Sequence, residues 1–298
     1  MTTEQKYISV CICTFKRPGL LHKLLERLEQ QQANGQFALS VVVTDNDSRQ
    51  SAHCVVAEFA ATSRIVVTYS CEPRQNIALA RNEALSHATG DFVALIDDDE
   101  YPENGWLAAM LEACEKYQAA GVLGPVRPRF EEAPPRWIAD GRFWDRPEHR
   151  TGWVMDWRDC RTGNVLFRRH IVDGLQEVFN PIFGTGAEDT DFFRRMMGSG
   201  HVFRWCNEAV VYETVPKERC TRSYMFKRAM LRGRHSVTLP GRRLRLAARS
   251  VVAVPVYLMM LPFTLLLGQH FFMRYGIKFC DHAGRLLALL RLNPVRER

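Results

Sequence analysis

The segment from Asp91 to Glu100, Asp-Phe-Val-Ala-Leu-Ile-Asp-Asp-Asp-Glu, constrains the fold more than any other stretch. Its apolar run, residues 92–96, has turn signals on both sides, with Gly90 before it and Pro102 after it. This pattern predicts a strand buried on both faces, as in a parallel sheet covered by helices. Ligands bind such sheets at the carboxyl ends of their strands. We therefore expect the acids that end this run to lie at the ligand-binding edge of an α/β sheet.

The four consecutive acids, residues 97–100, suggest a cation site. Neighbouring carboxylates repel one another unless a cation neutralises them, and oxygen ligands suit Mg²⁺ or Mn²⁺. Such an ion would bridge the acids to the phosphates of a nucleotide. The alternative is a solvated acidic turn, and for an isolated Asp-Asp-Asp run the two interpretations are about equally favoured. The rest of the chain favours the cation site.

The first strand, Tyr7–Cys13, is followed by a helix that has Pro18 near its first turn and a leucine stripe at helical spacing. Strand, helix, strand predicts a right-handed crossover and a parallel sheet. Neither a Gly-x-Gly-x-x-Gly motif nor a Walker loop occurs, so a dinucleotide fold and an NTPase are not supported. Further strands are predicted at 39–44, 65–69, 163–169, 202–205 and 209–212, and helices at 76–88 and 102–120.

Two regions after residue 120 are candidates for a functional site. Trp137, Trp144, Trp153 and Trp157 lie in an irregular stretch, where they suit either stacking on sugar rings or capping of the sheet. The segment 183–196 reads as a glycine-rich loop that runs into a helix with three acids in its first turn. Helix capping explains one acid; three within four residues suggest a site.

Charge is distributed unevenly along the 298 residues. Residues 1–215 hold 23 Lys and Arg against 30 Asp and Glu, whereas residues 216–298 hold 17 against 3. The basic tail therefore has a separate role, for which a polyanion is the natural partner: a membrane surface, a pyrophosphate or a nucleic acid.

The cysteines and the amino terminus predict a cytoplasmic body. Nine cysteines occur without a Cys-x-x-Cys pair or a zinc-type spacing, which favours a reducing compartment without disulfides. The first six residues lack the apolar core of a signal peptide.

Taken together, the motifs resemble family 2 glycosyltransferases of the GT-A fold, and within them bacterial exopolysaccharide transferases of the succinoglycan type. The resemblance covers residues 7–215 in the family's order. It implies an α/β fold with a mostly parallel central sheet flanked by helices. The matching segments are 10–18, 43–48, 76–82, 97–99, 163–164 and 188–189.

The resemblance also implies roles for single residues. Asp99 would ligate Mg²⁺ or Mn²⁺, and Asp189 would be the general base with Glu188 beside it. The acceptor hydroxyl needs one carboxylate to take its proton while the metal-held diphosphate leaves, which inverts the anomeric carbon. The residues implied to bind the nucleotide-sugar donor are Thr14, Arg17, Asp45, Arg81, Asp97 and Asp98.

The chain departs from the family pattern at two places. Many relatives have a histidine near the metal after the last core strand, where this chain has Glu213. Glu213 is a candidate ligand; the alternatives are a structural acid or a sign of an altered metal preference. Processive synthases carry Gln-x-x-Arg-Trp, but the segment 201–205 lacks the glutamine and follows the Glu-Asp pair too soon. We therefore expect transfer of one sugar per encounter.

The tail, residues 216–298, is expected to be membrane-associated. Residues 250–268 are uncharged and mostly apolar, near the length that crosses a bilayer, and both flanks are basic. A re-entrant or interfacial hairpin is favoured, before a true span and a buried soluble helix. Arg219 and Arg222 are candidates for a diphosphate or lipid headgroup, with a solvated basic face as the alternative. The cations do not lie among stacking aromatics, which argues against nucleic acid.

These patterns predict two domains, 1–215 and 216–298, and an enzyme at the cytoplasmic face of the inner (cell) membrane. It would move one sugar from a nucleotide-sugar donor, expected to be UDP-linked, to a polyprenyl-diphosphate-linked saccharide on an anionic membrane surface. The alternative is a non-catalytic membrane-bound scaffold that binds a nucleotide sugar or lipid. The intact acids argue against the scaffold.

Overall fold

The computed structural model describes residues 5–31, 35–184, 186–237 and 243–292. The chain divides into two compact units. The first comprises Met1–Arg127 and Arg146–Glu213, and the second comprises Pro128–Asp145 and Thr214–Arg298. The segment 128–145 thus belongs to the second unit, although it lies inside the predicted domain 1–215; the boundary at residue 215 stays a prediction.

The described residues form ten strands in two sheets. The larger sheet has the order β3-β2-β1-β4-β8-β6-β9, and the smaller one has the order β5-β10-β7. In the larger sheet only the pairs β4–β8 and β8–β6 are antiparallel, so it is mostly parallel, as predicted. The strands are β1 (Lys6–Thr14), β2 (Phe37–Asp45), β3 (Val66–Cys71), β4 (Phe92–Asp97), β5 (Glu100–Pro102), β6 (Gly121–Leu123), β7 (Val126–Phe130), β8 (Asn164–Arg168), β9 (Phe203–Trp205) and β10 (Val211–Val215).

Nine α-helices lie in the described part of the chain. Those of the first unit cover the sheet, and the leucine stripe of the first helix is buried as its spacing predicts. The helices are α1 (Pro18–Glu29), α2 (His53–Thr62), α3 (Ile77–Ser86), α4 (Trp106–Lys116), α5 (Arg136–Gly141), α6 (Glu188–Gly198), α7 (Arg222–His235), α8 (Arg243–Leu267) and α9 (Gln269–Leu289).

Several element bounds differ from those predicted. The helix predicted over 102–120 is α4, which begins only at Trp106, because Glu100–Pro102 pairs with β10 as strand β5. The strand predicted over 209–212 is β10, and it begins and ends later. Helix α2 was not predicted, since only Val56 and Phe59 on it are buried and its apolar stripe is short.

Strand register places the polar strand ends together. Thr14 of β1 lies beside Asp45 of β2, and Cys13 of β1 lies beside Asp97 of β4. Because these strands are parallel, their carboxyl ends meet at one edge of the sheet. On the far side of β4, Ile96 pairs with Asn164 at the start of the antiparallel β8. The sheet therefore delivers the predicted acids to a single edge.

The second unit has its own small core and three longer helices. Trp137, Trp144, Val215 and Met273 are among the buried residues of that core. Helix α9 packs against α7 and also against α8. In the described residues, one helix is long and apolar enough to cross a membrane, by length and composition only: Leu246–Leu266, of which 6% is buried.

Candidate active site

The end of β1 is tied to the acidic turn after β4. The Thr14 hydroxyl donates to Asp98 Oδ2 over 2.8 Å, and Arg17 Nη1 donates to Asp98 Oδ1 over 2.9 Å. The same guanidinium nitrogen reaches Asp99 Oδ2 at 3.1 Å. Asp98 and Asp99 are buried, so the two residues at the carboxyl end of β1 offset the cost of burying two carboxylates.

Arg81 joins two parts of the first unit. Its side chain is only 9% exposed; Nη1 donates to Glu188 Oε1, and Nη2 donates to Asp97 Oδ1 over 3.3 Å. Asp97 ends β4, whereas Glu188 begins α6, and the two lie 91 positions apart in sequence. One cation on α3 therefore holds the first acid of the strand-end cluster beside the Glu-Asp pair.

Two further acids lie close behind Asp97. Across the antiparallel pair of β5 and β10, Glu100 lies opposite Glu213. A Cβ atom added at Gly163 would lie 2.6 Å from Glu100 Oε1 and 3.1 Å from Asp97 Oδ2. The missing side chain at position 163 is thus what lets these carboxylates approach. Arg146 Nη2 donates to Glu213 Oε2 and so brings a cation to this pair of acids.

Asp189 differs from Glu188 in its surroundings. Its Oδ1 accepts hydrogen bonds from the Thr190 amide and hydroxyl, and its Oδ2 lies 3.8 Å from Arg161 Nε. Its side chain is 18% exposed, against 8% for Glu188. Glu188 Oε2 is buried and has no hydrogen-bond partner among the described residues. Asp189 therefore has the more accessible carboxylate, and Glu188 is committed to Arg81.

Burial dominates the protonation of this cluster. Loss of hydration raises the pKa of Asp98 to about 6, although Arg17 acts in the opposite direction. The pKa of Glu100 is raised well above its usual value, by burial first and then by the nearby Asp97. Burial also raises the pKa of Glu188; Arg81 counteracts this only in part, and the nearby Asp189 adds to it. A cation entering this cluster would relieve the repulsion that favours the protonated forms.

Asp45 lies at the same edge of the sheet, but its carboxylate accepts hydrogen bonds from the backbone of the loop that follows it. Its Oδ1 accepts from the Asp47 amide over 3.0 Å, and its Oδ2 accepts from the Ala52 amide over 2.7 Å. The Tyr69 hydroxyl is also 3.3 Å from Oδ2. The carboxylate is fully buried and fixes the loop between β2 and α2. Its implied role beside the nucleotide remains a prediction.

The asparagines of the motif segments are structural. Asn76 caps α3 and donates to the Pro181 carbonyl, while Asn82 exchanges two hydrogen bonds with the Phe179 backbone. Both contacts hold the segment before α6 against α3. Asn164 is buried; it accepts from the Trp106 indole and donates to two carbonyls. These residues position the acids without needing a ligand.

The remaining predicted residues are distributed as follows. Arg219 and Arg222 belong to the second unit, where Arg222 Nη2 donates to Gln269 Oε1 over 3.0 Å. Trp137 and Trp144 are buried, so they are not stacking platforms for a sugar, whereas Trp153 is 48% exposed. Arg146 and Arg161 were not predicted, because they come from the irregular stretch where no periodicity identifies a functional face.

The residues present fit a divalent cation that is held partly by substrate. No group of three His, Cys, Asp or Glu residues with metal-site geometry occurs among the described residues. Mg²⁺ is usually held by one or two carboxylates together with substrate phosphates and water. The acids around Asp97 and Asp99, beside a Glu100 whose pKa is raised by burial, match that partial set.

Comparison with known proteins decides the family. The model of glycosyl transferase family 2 matches residues 9–175. The succinoglycan biosynthesis protein ExoM of Rhizobium meliloti is 35% identical over 240 residues, which is 78% of this chain and 75% of ExoM. The chain belongs to glycosyl transferase family 2. It is therefore a glycosyltransferase, and the predicted resemblance is confirmed.

Solved structures agree on the fold of this family 2 enzyme. A mannosyltransferase from Pyrobaculum calidifontis, solved with GDP-Man and Mn²⁺, aligns with a TM-score of 0.66 and 20% identity, over 98% of this chain and 89% of the other. Residues 1–349 of S. aureus TarS, solved with UDP, align with a TM-score of 0.56 and 15% identity, over 98% and 94% of the two chains. The predicted GT-A fold is confirmed.

Proposed function

We propose that this family 2 enzyme transfers one sugar, with inversion, from a UDP-linked donor to a lipid-linked saccharide at the cytoplasmic face of the cell membrane. Residues 1–215 would form the glycosyltransferase domain, and residues 216–298 would hold it at the membrane. The observation that supports this most is the buried Arg81, which joins the strand-end acid Asp97 to Glu188 of the Glu-Asp pair.

The acids and arginines of the first unit suit both ends of such a reaction. The acceptor oxygen would attack the anomeric carbon while the bond from that carbon to the nucleoside diphosphate breaks. Asp189 would take the proton of the attacking hydroxyl, because it is the more accessible acid of its pair. Attack opposite the leaving group in a single displacement inverts the anomeric centre.

Glu188 and Arg81 would act as positioning residues around this base. The ion pair between them is buried, so it fixes the first turn of α6 and hence the direction of the Asp189 side chain. Arg17 and Arg146, each bound to an acid of the cluster, would stabilise the negative charge that develops on the diphosphate.

We propose Mg²⁺ or Mn²⁺ as the cofactor, held by Asp99 with Glu213 as a candidate second ligand. When bound, the ion would neutralise charge on the departing diphosphate. The Mn²⁺ in the mannosyltransferase structure supports this choice. Thr14, Asp45, Asp97 and Asp98 would line the donor side, as the family resemblance implies.

Separate observations support the proposed nucleotide base of the donor and the proposed acceptor. UDP in the TarS complex supports a uridine donor, whereas GDP-Man in the mannosyltransferase complex makes GDP-sugars the comparison to test. The exposed apolar face of α8 and the basic flanks support a membrane seat and thus a polyprenyl-diphosphate-linked acceptor. Arg219 and Arg222 would contact the diphosphate or a lipid headgroup.

The test is transfer itself, with the full chain in lipid vesicles. UDP- and GDP-sugars are supplied together with a polyprenyl-diphosphate-linked saccharide, and the product's anomeric configuration is read by NMR. We expect one added sugar of inverted configuration. Retention of configuration, or a polymeric product, would contradict the proposal.

A further inference from the structure

Helix α8 contacts its neighbour through polar residues and exposes apolar ones. Ser250 and Thr264 are buried, and Tyr257 lies midway between them on the same face. Val252 and Leu266, on the outer face, are 66% and 85% exposed. This distribution is the reverse of a helix that packs on a water-soluble protein. The outer face of α8 is therefore suited to hydrocarbon, and its inner face is polar.

The polar face leads to a network shared by α7, α8 and α9. Ser250 Oγ lies 2.9 Å from His282 Nδ1, and Arg285 Nη1 lies 3.3 Å from the same nitrogen. Arg285 Nε donates to Ser236 Oγ over 2.9 Å. Because a guanidinium can only donate, His282 Nδ1 accepts, and the proton of the neutral ring is on Nε2. Three helices thus converge on Arg285.

Two glycines hold this network in place. A Cβ atom added at Gly284 would lie 2.3 Å from the Met230 carbonyl oxygen, and one at Gly233 would lie 2.1 Å from the Asp281 carbonyl oxygen. The backbones of α7 and α9 therefore touch, as small residues permit. The cations beside this helix crossing are therefore held in place by close helix packing.

Positive charge exceeds negative charge at this place. Between residues 222 and 289 the sequence has one acid, Asp281, against twelve Lys and Arg. Arg232 already holds Asp281 with two hydrogen bonds, of 2.9 and 2.6 Å. Because Asp281 is already paired with Arg232, it compensates the positive charges of Arg285 and Arg249 only in part.

Burial and the excess of positive charge both act on the pKa values of this network. Burial and the neighbouring Arg232 and Arg249 lower the pKa of Arg285, although Asp281 opposes them. Burial, Arg285 and Arg249 likewise lower the pKa of His282. The charged forms of Arg285 and His282 are thus disfavoured by burial and by the neighbouring cations. A bound anion would reverse that effect.

We propose that Arg249, Arg285 and His282 bind the phosphate group of a lipid whose chain lies along the apolar outer face of α8. The apolar outer face begins two residues after Arg249, at Val251, which is 60% exposed. A lipid phosphate bound at Arg249 would therefore have its hydrocarbon chain next to this face. This inference rests on the membrane association in the proposed function, and it adds a phosphate site that is separate from Arg219 and Arg222.

The experiment measures vesicle binding by the full chain. Three vesicle types are compared at equal mole fraction of added lipid: phosphatidylcholine alone, with phosphatidylglycerol, and with a polyprenyl phosphate. The variants are Arg285→Gln, Arg249→Gln and Arg285→Lys. Lys227→Gln is the matched control, since it removes the same charge from an exposed position on α7.

We expect Arg285→Gln and Arg249→Gln to weaken binding to the phosphate-bearing vesicles about tenfold, with Lys227→Gln changing it less than about twofold. Arg285→Lys should lie between, because it keeps the charge and loses the planar fork. Losses in both phosphate lipids would identify a general headgroup site; loss with polyprenyl phosphate alone would identify the acceptor's carrier.

Equal losses in all three glutamine variants would overturn the proposal, because only general surface charge would then matter. Unchanged binding in Arg249→Gln and Arg285→Gln would overturn it as well. Thermal unfolding of each variant shows whether it folds. If Arg285→Gln does not fold, Arg249→Gln still tests the proposal, because Arg249 is exposed. Stabilisation of the wild type by a nucleotide sugar, measured in the same preparation, tests the proposed function independently.

Discussion

The two units handle excess charge in opposite ways. In the first, the acids after β4 and at the start of α6 are buried, and arginines from other elements are bound to them. In the second, Arg232 of α7 binds the acid Asp281 of α9, and Arg285 contacts His282 and Ser236. Residues 1–215 carry a net charge of −7 and residues 216–298 one of +14, so the contrast extends beyond the two clusters.

This difference teaches what each cluster lacks. Buried carboxylates whose pKa values are raised would gain from a cation, whereas Arg285, whose pKa is lowered by burial and by nearby arginines, would gain from an anion. The first unit therefore suits a metal-bound nucleotide sugar, and the second suits a lipid phosphate. Predictions that separate the clusters test this comparison.

The largest effect is expected at Asp189. If it is the base, Asp189→Asn should lower the transfer rate about 10²–10⁴-fold and leave donor affinity nearly unchanged. Asp173→Asn is the matched control, since the Asp173 side chain is 51% exposed and pairs with the exposed Arg169. Steady-state kinetics measure both variants. An Asp189→Asn enzyme with more than half of the wild-type rate would exclude this assignment.

Arg81 should matter most for the stability of the acidic cluster. Arg81→Ala leaves Glu188 and Asp97 without their cation, and breaking a buried pair costs about 3–5 kcal/mol. Denaturant unfolding gives the change in free energy. Arg158→Ala, which breaks a pair with Asp156 in which both side chains are about half exposed, should cost far less. Similar losses of unfolding free energy in the two variants would show that the buried Arg81 does not stabilise the acidic cluster.

Gly163→Ala should force the acids of the first unit apart. The added methyl group would overlap Glu100 Oε1 and press on Asp97 Oδ2, and overpacking of this kind costs about 1–3 kcal/mol. Gly19→Ala is the control, because nothing lies within 4 Å of its added Cβ atom and it lies in α1. That control should be neutral or stabilising. A stable Gly163→Ala protein would show that the acids can separate at little cost.

A smaller effect is expected on the apolar face of α8. Leu266→Asn should weaken vesicle binding by about tenfold, since it removes one exposed apolar side chain from contact with lipid, without changing the free energy of unfolding measurably. Val66→Asn, at a 64% exposed position of β3, should leave vesicle binding unchanged. Equal effects of the two substitutions would remove the distinction between the units.

The smallest effect concerns pH and His282. Its folded-state pKa is lowered, so the unfolded chain binds the proton more strongly. The contribution of His282 to stability is present above the unfolded pKa of about 6.5 and is lost as the pH falls below it. His282→Gln should remove that part of the loss. Thermal unfolding between about pH 5 and 8 measures it. Identical profiles for wild type and variant would contradict the assigned shift.

Much of the first unit could be predicted because strand ends are local in sequence. The apolar runs that end in Asp45 and Asp97 identify the strands, and parallel pairing then brings these ends together. Glu188 and Asp189 were found by their spacing after a glycine-rich loop. The second unit's apolar helix was visible from its length alone.

What could not be predicted depends on pairing between distant residues. Arg146 and Arg161 lie in an irregular stretch, and nothing local distinguishes them from solvated arginines. The capping role of Asn76 and the internal bonds of Asn164 need the folded backbone to be known. The polar face of α8 is equally hidden, because Ser250 and Thr264 look incidental within an apolar run.

The measurement that tests the central claim most directly is thermal unfolding of the full chain with a nucleotide sugar, with and without Mn²⁺. The account predicts that a UDP-sugar raises the unfolding temperature only when Mn²⁺ is present, and that Asp99→Ala abolishes the shift. At a hundredfold excess over its dissociation constant, the donor should stabilise the protein by about 2.7 kcal/mol. The same shift in the presence of EDTA, or in Asp99→Ala, would contradict the claim that a cation joins these acids to the donor.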